Sequence, residues 1–141
     1  MRENINDLLT YSVDITYQDT DIAGVVYFAN YLNYAEKGRS KLLKGLFGKT
    51  KFSDNQNWAV KSTNINYFRP TKIDDTLVVR TKIKELKKAS LVFLHEMFVG
   101  ETMVAVNEIH LLCIDENLRP TKIEDVVSNE LFSIYNSYDI N

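Results

Sequence analysis

The sequence has a single cysteine, no long hydrophobic run and no leader-like start. Cys113 stands alone, which excludes an internal disulfide and fits the reducing cytoplasm. No run approaches the roughly 18 consecutive apolar residues that a membrane-spanning helix needs. The first residues, MRENINDLLTYS, lack the basic and then apolar pattern of a signal peptide. These absences together predict a cytoplasmic protein without a membrane span.

The charge and the missing motifs exclude several classes of function. A formal net charge of −2 provides no basic footprint for nucleic acid. No G-x-S-x-G segment is present, so a serine-hydrolase mechanism is disfavoured. Neither a P-loop nor a Rossmann glycine pattern occurs, and no cofactor is predicted. His95 and His110 lie in separate strand-like runs, where neither has partners that suggest a catalytic triad.

The length of 141 residues predicts a single domain over residues 1–141. An apolar fraction of 45% is ordinary for a globular protein. A chain this short can bury a core, but it often gains stability from contacts between subunits.

A change of hydrophobic period marks the segment around which the chain is organised. Residues 11–17 alternate between two faces, which predicts a half-buried strand. Apolar residues then recur at steps of three and four, which predicts a helix with the stripe Tyr31, Tyr34, Ala35, Gly38, Leu42 and Leu46. Asn30 is the predicted N-cap, and Gly45 and Gly48 are predicted to end the helix. A mid-helix glycine costs about 1 kcal/mol of helix stability relative to alanine, so the presence of Gly38 on the apolar stripe predicts that the helix packs closely against a sheet there.

The connector between this strand and this helix, residues 21–30, is too apolar for a solvent-exposed loop and carries the carboxylate of Asp21. Gly24 permits a tight turn and the close approach of another group. The free N–H groups and the dipole of a helix N-terminus favour negative charge. A carboxylate beside backbone donors for an oxyanion is what attack on a carbonyl requires.

Four strand-like runs follow the helix, at residues 58–68, 76–86, 89–99 and 102–114. Pro70 ends the first of them, and Gly100 begins a two-residue hairpin between the last two. A second amphipathic helix is predicted after Thr121 and Glu124, which form a capping-box pattern. The order of strand, long helix and strand meander predicts an α+β fold, in which an antiparallel sheet wraps around one helix.

One motif in the connector is specific enough to suggest a family. The pattern D-x-D-x-x-G-V-V-Y-x-x-x-Y is present as Asp19, Asp21, Gly24, Val25, Val26, Tyr27 and Tyr31. It resembles the hotdog-fold acyl-CoA thioesterases, and it is most similar to the 4-hydroxybenzoyl-CoA thioesterase family in its YbgC-type branch, which is associated with the Tol–Pal envelope system. Residues 66–76, 90–100 and 113–120 also resemble that family, so the similarity covers roughly residues 10–125.

The resemblance implies a hotdog fold and an acyl-CoA substrate. Family members pair as dimers that extend the sheet, often associate into tetramers, and place their active sites at the dimer interface. A homo-oligomer, either a dimer or a dimer of dimers, is therefore the expectation for this chain. An envelope or lipid-synthesis partner is implied only through the association of the branch with Tol–Pal.

Asp21 aligns with the catalytic carboxylate of that family. Spacing alone favours an Asx turn, the commoner role of an aspartate in such a position. The resemblance implies instead that Asp21 attacks the thioester to form a mixed anhydride, or activates a water, and both mechanisms stay open. A metal pair of Asp19 and Asp21 is disfavoured, because no histidine or further acid stands nearby at ligand spacing. Asp19 is expected to bond to the backbone or to a basic neighbour.

The resemblance places the main oxyanion donor at the backbone N–H of Phe28, a position where many members of the branch carry histidine. The other motif residues are predicted to shape the backbone or line the pocket: Gly24, Val25, Val26, Tyr27 and Tyr31. Arg69 and Lys72 border a turn that matches the family and are the predicted contacts for the phosphates of coenzyme A. Tyr17 is expected to pack rather than to line the pocket, and Cys113 to be a buried thiol.

The predicted function is hydrolysis of an acyl-CoA to the free acid and coenzyme A. A hotdog enoyl-CoA hydratase is the second enzyme hypothesis, but that chemistry commonly pairs an acid with a histidine, and no histidine precedes position 95. A non-catalytic acyl-CoA sensor or scaffold is the third. The sequence does not distinguish an aryl from a fatty acyl group.

Overall fold

The computed structural model describes residues 4–51 and 53–137. The ends of the predicted domain, residues 1–3 and 138–141, lie outside this part of the chain. The helices are α1 (Ile5–Leu8), α2 (Asn30–Phe47) and α3 (Asp125–Ser137), and the strands are β1 (Thr10–Asp14), β2 (Asn57–Tyr67), β3 (Thr76–Leu86), β4 (Ser90–Val99) and β5 (Thr102–Ile114). Within the described residues, no helix is both long and apolar enough to span a membrane.

The five strands form one antiparallel sheet in the order β1-β3-β4-β5-β2. The long helix α2 contacts β1, β3 and β5, so it packs against one face of the sheet as predicted. β2 is an edge strand, and most of its residues are exposed. Pro70 follows its end, which confirms that this proline closes the strand.

β1 is shorter than predicted and ends at Asp14 instead of residue 17. The chain turns there because the side chain of Asp19 accepts hydrogen bonds from the backbone N–H and the hydroxyl of Thr16, at 2.9 and 3.1 Å. These bonds close a short 3-10 helix, Tyr17–Asp19. Tyr17 is therefore 84% exposed, and its predicted packing role is wrong for this chain.

The predicted caps of α2 are partly wrong. The helix begins at Asn30 with Ala29 as its N-cap, and the Asn30 side chain donates instead to the backbone carbonyl of Asp19, at 2.9 Å. Gly48 ends the helix in the left-handed conformation, with φ of 77°, as predicted. Gly45 lies inside the helix and faces Leu8, so it does not end α2.

Gly38 makes the close contact that the sequence predicts. It is buried on α2, and a Cβ at this position would lie 3.0 Å from Thr81 Oγ1 and 3.2 Å from Val79 Cγ1. Because Val79 and Thr81 belong to β3, glycine lets the helix approach this strand of the sheet closely.

Two terminal segments differ from the prediction. Residues 4–9 precede the first predicted element, yet they include α1 and bury Leu8 and Leu9 in the core. The capping box before α3 is not formed: the backbone N–H of Glu124 donates to Gln56 Oε1 at 3.1 Å, and its carboxylate accepts from Ser53 at 2.7 Å. The loop before β2 therefore supplies the cap that Thr121 was expected to provide.

His95 lies fully buried on β4 beneath α2, as a structural residue. Its Nε2 is 3.2 Å from a guanidinium nitrogen of Arg39, and its Nδ1 is 3.1 Å from Thr81 Oγ1. Arginine can only donate, so Nε2 accepts and the proton of the neutral ring lies on Nδ1, which donates to Thr81. Burial and the charge of Arg39 lower the pKa of His95 well below its ordinary value.

This depressed pKa predicts a pH-dependent stability. Below about pH 6.5 the imidazole of His95 binds a proton in the unfolded chain but stays neutral in the folded protein. The free energy of unfolding should therefore fall as the pH drops, by at most about 1.4 kcal/mol per pH unit. Urea unfolding between about pH 7.5 and about pH 5.5 measures this dependence. His95→Gln should remove this component, and His110→Gln, at a partly exposed histidine, should keep it. Equal pH dependence in wild type and His95→Gln would contradict the assignment.

Candidate active site

A closed turn carries Asp21. The backbone N–H of Asp21 donates to the carbonyl of Val25 at 2.9 Å, and the N–H of Gly24 donates to the carbonyl of Asp21 at 3.0 Å. Gly24 has a φ of 78°, a conformation that glycine adopts without strain, so its predicted turn role is confirmed.

The side chain of Asp21 is exposed and forms an Asx turn. Its Oδ1 accepts the backbone N–H of Ala23 at 2.8 Å. Within residues 4–51 and 53–137, its other oxygen has no hydrogen-bond partner. The Asx turn expected from spacing is therefore present, and it leaves one carboxylate oxygen available to a substrate or a water.

Asp19 ties the connector to the start of α2. Its backbone carbonyl accepts the N–H of Tyr27 at 2.9 Å and the side-chain amide of Asn30 at 2.9 Å. Its carboxylate accepts the hydroxyl of Tyr34 at 2.6 Å, besides the bonds from Thr16. The expectation that Asp19 bonds to the backbone is confirmed, and the residue fixes the loop in relation to the helix.

The pKa shifts of Asp19 and Tyr34 follow from the burial of the two side chains and from their hydrogen bonds. Partial burial acts to raise the pKa of Asp19, but the bonds from Tyr34 and Thr16 and the charge of Lys37 outweigh it, so the pKa is lowered. Burial and the same bond to Asp19 raise the pKa of Tyr34. Asp19 is thus a charged acceptor and Tyr34 a protonated donor at neutral pH.

Three tyrosines, Tyr34, Tyr31 and Tyr67, form a row beside the connector. Tyr31 stands edge-to-face against both neighbours, with ring centroids 6.1 Å from Tyr34 and 5.2 Å from Tyr67. Each hydroxyl holds a different segment: Tyr34 donates to Asp19, Tyr31 to Thr71 Oγ1 at 3.1 Å, and Tyr67 to the carbonyl of Phe28 at 2.8 Å. This tyrosine row connects α2, the connector and the end of β2.

A shallow pocket of about 290 Å³ opens beside the tyrosine row. It is lined by residues of the connector, of α2 and of the chain around the end of β2: Val25, Val26, Phe28, Tyr31, Tyr67, Phe68, Arg69 and Pro70. The structure thus brings four predicted pocket residues together with Arg69. Tyr67 and Phe68 were missed as site residues, although they lie in the same aromatic segment before Pro70 that resembles the family.

Several predicted site residues do not line this pocket. Tyr27 is partly exposed and lies against Phe28, with ring centroids 4.8 Å apart. Lys72 pairs through its backbone with Val25, and its side chain is exposed. Asp21 and Gly24 lie in the adjacent turn, on the loop that contributes Val25 and Val26.

The peptide of Phe28 has the property that an oxyanion donor needs. Within the described part of the chain, its backbone N–H donates to no protein acceptor. The side chain is 61% exposed and lines the pocket. A donor that is free in the resting protein can bind an incoming oxygen without first breaking a hydrogen bond.

A second cavity, of about 650 Å³, lies away from the motif. It is bounded by α2 and the start of β2, including Glu36, Arg39, Ser40, Trp58 and Val60.

Among residues 4–51 and 53–137, no three His, Cys, Asp or Glu side chains are grouped to hold a metal ion. Cys113 is buried as predicted, and burial raises the pKa of its thiol to about 11.

Comparison with known proteins identifies the family. The family model described as the thioesterase-like superfamily matches residues 15–131. The acyl-CoA thioesterase YbgC of Haemophilus influenzae is 33% identical over 109 residues, which cover 75% of this chain and 80% of that protein. A probable thioesterase from Bartonella henselae is 29% identical with a TM-score of 0.71, and the match covers 82% of this chain and 96% of that one.

A further solved structure supports the fold. The 1,4-dihydroxy-2-naphthoyl-CoA thioesterase Slr0204 from Synechocystis has a TM-score of 0.76 at 19% identity, with 89% of this chain and 96% of that chain covered. The predicted α+β hotdog fold is thereby confirmed. The chain belongs to the thioesterase-like superfamily, as the motif between Asp19 and Tyr31 predicts.

Proposed function

We propose that this protein hydrolyses the thioester of an acyl-CoA at the pocket beside Asp21. Water and acyl-CoA are consumed, and the free carboxylic acid and coenzyme A are released. The observation that carries the proposal is one loop that joins an exposed carboxylate with a free oxygen to an unbonded peptide N–H at the start of α2. The relationship to named acyl-CoA thioesterases supports the choice of substrate class.

Asp21 is the proposed catalytic residue, by one of two routes. As a nucleophile, its oxygen attacks the thioester carbon, the thiolate of coenzyme A leaves, and water then cleaves the mixed anhydride to release the acid and regenerate the carboxylate. As a general base, it takes a proton from water while the water oxygen attacks the same carbon; the C–S bond then breaks, and the departing thiolate of coenzyme A takes up the proton. Mass spectrometry of protein quenched during turnover separates the routes, since an acyl group on the peptide that contains Asp21 belongs only to the first.

The thioester oxygen gains negative charge in both routes, and we place it against the backbone N–H of Phe28. A peptide donor near a helix N-terminus stabilises that charge without contributing a titratable group. Phe28 stands at the position where many members of the YbgC-type branch carry histidine, so no imidazole takes part in the proposed mechanism. Val25, Val26 and Tyr31 then contact the acyl group as the wall of the pocket.

Arg69 and Lys72 are the proposed contacts for the phosphates of coenzyme A. Arg69 lines the pocket, and Lys72 is exposed and pairs through its backbone with the pocket residue Val25, so both cations are available close to the pocket. Their joint replacement by alanine should raise KM for an acyl-CoA and leave KM for the matching acyl-pantetheine, which lacks the nucleotide phosphates, within about twofold. An equal rise for both substrates would contradict this assignment.

We further propose that two copies pair through the exposed edge of β2. In the part of the chain that the structure describes, β2 (Asn57–Tyr67) is the last strand of the sheet, and an exposed edge strand is a template for pairing with a second chain. The pocket lies at the end of that strand, so a partner would enclose it. A sedimentation measurement that finds only monomer at micromolar concentration would contradict the pairing. Association into tetramers and an envelope or lipid-synthesis partner remain predictions of the resemblance, and a cytoplasmic location remains a prediction from the composition and patterning of the sequence.

A panel of acyl-CoA substrates tests the central proposal. Thiol release should be detected for at least one of a set of short, medium and long alkanoyl-CoAs and benzoyl-CoAs. Acyl-CoA binding without thiol release across the whole panel would favour the sensor or scaffold hypothesis instead. Hydration of an enoyl-CoA, with no hydrolysis, would favour the hydratase.

A further inference from the structure

We propose that Tyr67 is a positioning residue, which holds the peptide planes at Phe28 so that the oxyanion donor points into the pocket. The inference rests on the proposed function and adds a residue that the motif does not contain. Tyr67 is the last residue of β2, 39 positions from Phe28 in the chain, and its hydroxyl donates to the carbonyl of Phe28 at 2.8 Å.

Two peptide planes meet at the Cα of Phe28, and each is held by one hydrogen bond. The plane that contains the Phe28 N–H also contains the carbonyl of Tyr27, which accepts the N–H of Asn30 at 2.9 Å. The next plane contains the carbonyl of Phe28, which accepts the hydroxyl of Tyr67. Because a peptide is planar, the bond from Asn30 sets the direction of the Phe28 N–H, and the bond from Tyr67 sets the plane that follows. With both planes held, the two backbone dihedrals of Phe28 cannot change, so its N–H keeps its direction.

The ring of Tyr67 is itself held in place. It packs edge-to-face against Tyr31, which is buried on α2 and bonds to Thr71. The carbonyl of Thr71 in turn accepts the N–H of Val26 at 2.8 Å. The hydroxyl of Tyr67 therefore sits at a fixed point beside the connector, and it bonds to the carbonyl of Phe28, between the two residues, Tyr27 and Asn30, that bond to Asp19.

The chemistry of the hydroxyl makes a direct catalytic role unnecessary. A phenol has one proton, and Tyr67 uses it on the carbonyl of Phe28, so it has none to donate to a substrate. Burial and the nearby Tyr31 raise the pKa of Tyr67, which keeps this proton in place at neutral pH. The residue acts through the backbone that it orients.

Tyr67→Phe tests this role, because it removes the hydroxyl and keeps the ring. The expected result is a fall in kcat of about tenfold with KM changed less than about twofold, since the lost interaction orients a donor that works mainly in the transition state. Tyr135→Phe, a tyrosine of α3 far along the chain from the motif, is the matched control and should keep wild-type kinetics. The amide resonances of residues 28–30 should shift in Tyr67→Phe and stay in place in Tyr135→Phe.

The outcomes separate this inference from the proposed function. A wild type that hydrolyses acyl-CoA, with unchanged kcat and unchanged amide resonances in Tyr67→Phe, would overturn the role of Tyr67 alone. A wild type without hydrolysis would overturn the proposed function, and the amide resonances would then decide whether Tyr67 orients the peptide. A third outcome is that Tyr67→Phe and Tyr67→Leu lose kcat and thermal stability to the same extent as each other, while the amide resonances of residues 28–30 do not move. That result would show a packing role and overturn the positioning role.

Discussion

Asp21→Asn is expected to abolish most thiol release while leaving the fold intact. General acid–base and nucleophilic carboxylates contribute about 10²–10⁴-fold to rate, so kcat should fall by that order. The fold should survive because the amide oxygen of asparagine can still accept the N–H of Ala23 and keep the Asx turn. Steady-state thiol release over the acyl-CoA panel measures the loss, and thermal unfolding checks the structure.

The chain offers a matched control for this change in Asp115. Its Oδ1 accepts the backbone N–H of Asn117 at 2.8 Å, so it forms the same kind of turn as Asp21 after β5. Asp115→Asn should keep wild-type kcat. The comparison shows whether the loss of kcat is specific to the carboxylate of Asp21 or follows from removing the charge of any Asx turn. Full turnover by Asp21→Asn of every acyl-CoA that the wild type cleaves would disprove the proposed role.

Removal of the Phe28 N–H is expected to have the next largest effect. Phe28→Pro deletes the donor, and loss of one oxyanion donor costs about 10²–10³-fold in kcat. Phe28→Ala keeps the N–H and removes only a pocket wall, so its effect should fall mainly on KM. The contrast in kcat between these two variants is the diagnostic measurement.

An ester in place of the peptide between Tyr27 and Phe28 provides the control for proline. It removes the same N–H but leaves the φ of residue 28 unrestricted, so a shared loss in the ester and in Phe28→Pro identifies the donor as the cause. Wild-type kcat in the ester-containing protein would place the oxyanion donor elsewhere. Circular dichroism of each variant shows whether α2, which starts two residues later, is retained.

The sheet was predictable because its hydrophobic alternation is local. β3 and β5 match the predicted ranges, and β2 and β4 begin or end within one residue of them. Gly38 could also be interpreted in advance, since only close packing gives a buried mid-helix glycine an advantage over alanine. These features depend on the period of the sequence and on the stereochemistry of single residues.

The helix ends were harder to predict because distant residues form the caps. Asn30 was assigned to cap α2 from its position, yet its side chain bonds to Asp19, eleven residues earlier. Glu124 was paired with Thr121, yet its N–H bonds to Gln56, 68 residues earlier. No local pattern encodes such contacts, since they exist only after the sheet has assembled.

Only those pocket residues that are close together in the sequence could be predicted, because contacts between distant segments have no local pattern. Val25, Val26, Phe28 and Tyr31 are neighbours in one motif, so the resemblance located them together. Tyr67 reaches Phe28 only because β2 ends beside the connector, and its ordinary place in an alternating strand gave no signal of that contact. The free oxygen of Asp21 likewise depends on which bonds the folded turn satisfies.

The hydrogen bonds that Asp19 accepts from Tyr27, Asn30 and Tyr34 hold the connector in place beside the pocket. A connector held in this way cannot move to admit a bulkier acyl group, so tolerance for one must come from the pocket residues after β2, such as Phe68 and Pro70. Variants that accept a broader range of acyl groups should therefore carry changes at Phe68 and Pro70, with Arg69 and residues 19–30 kept.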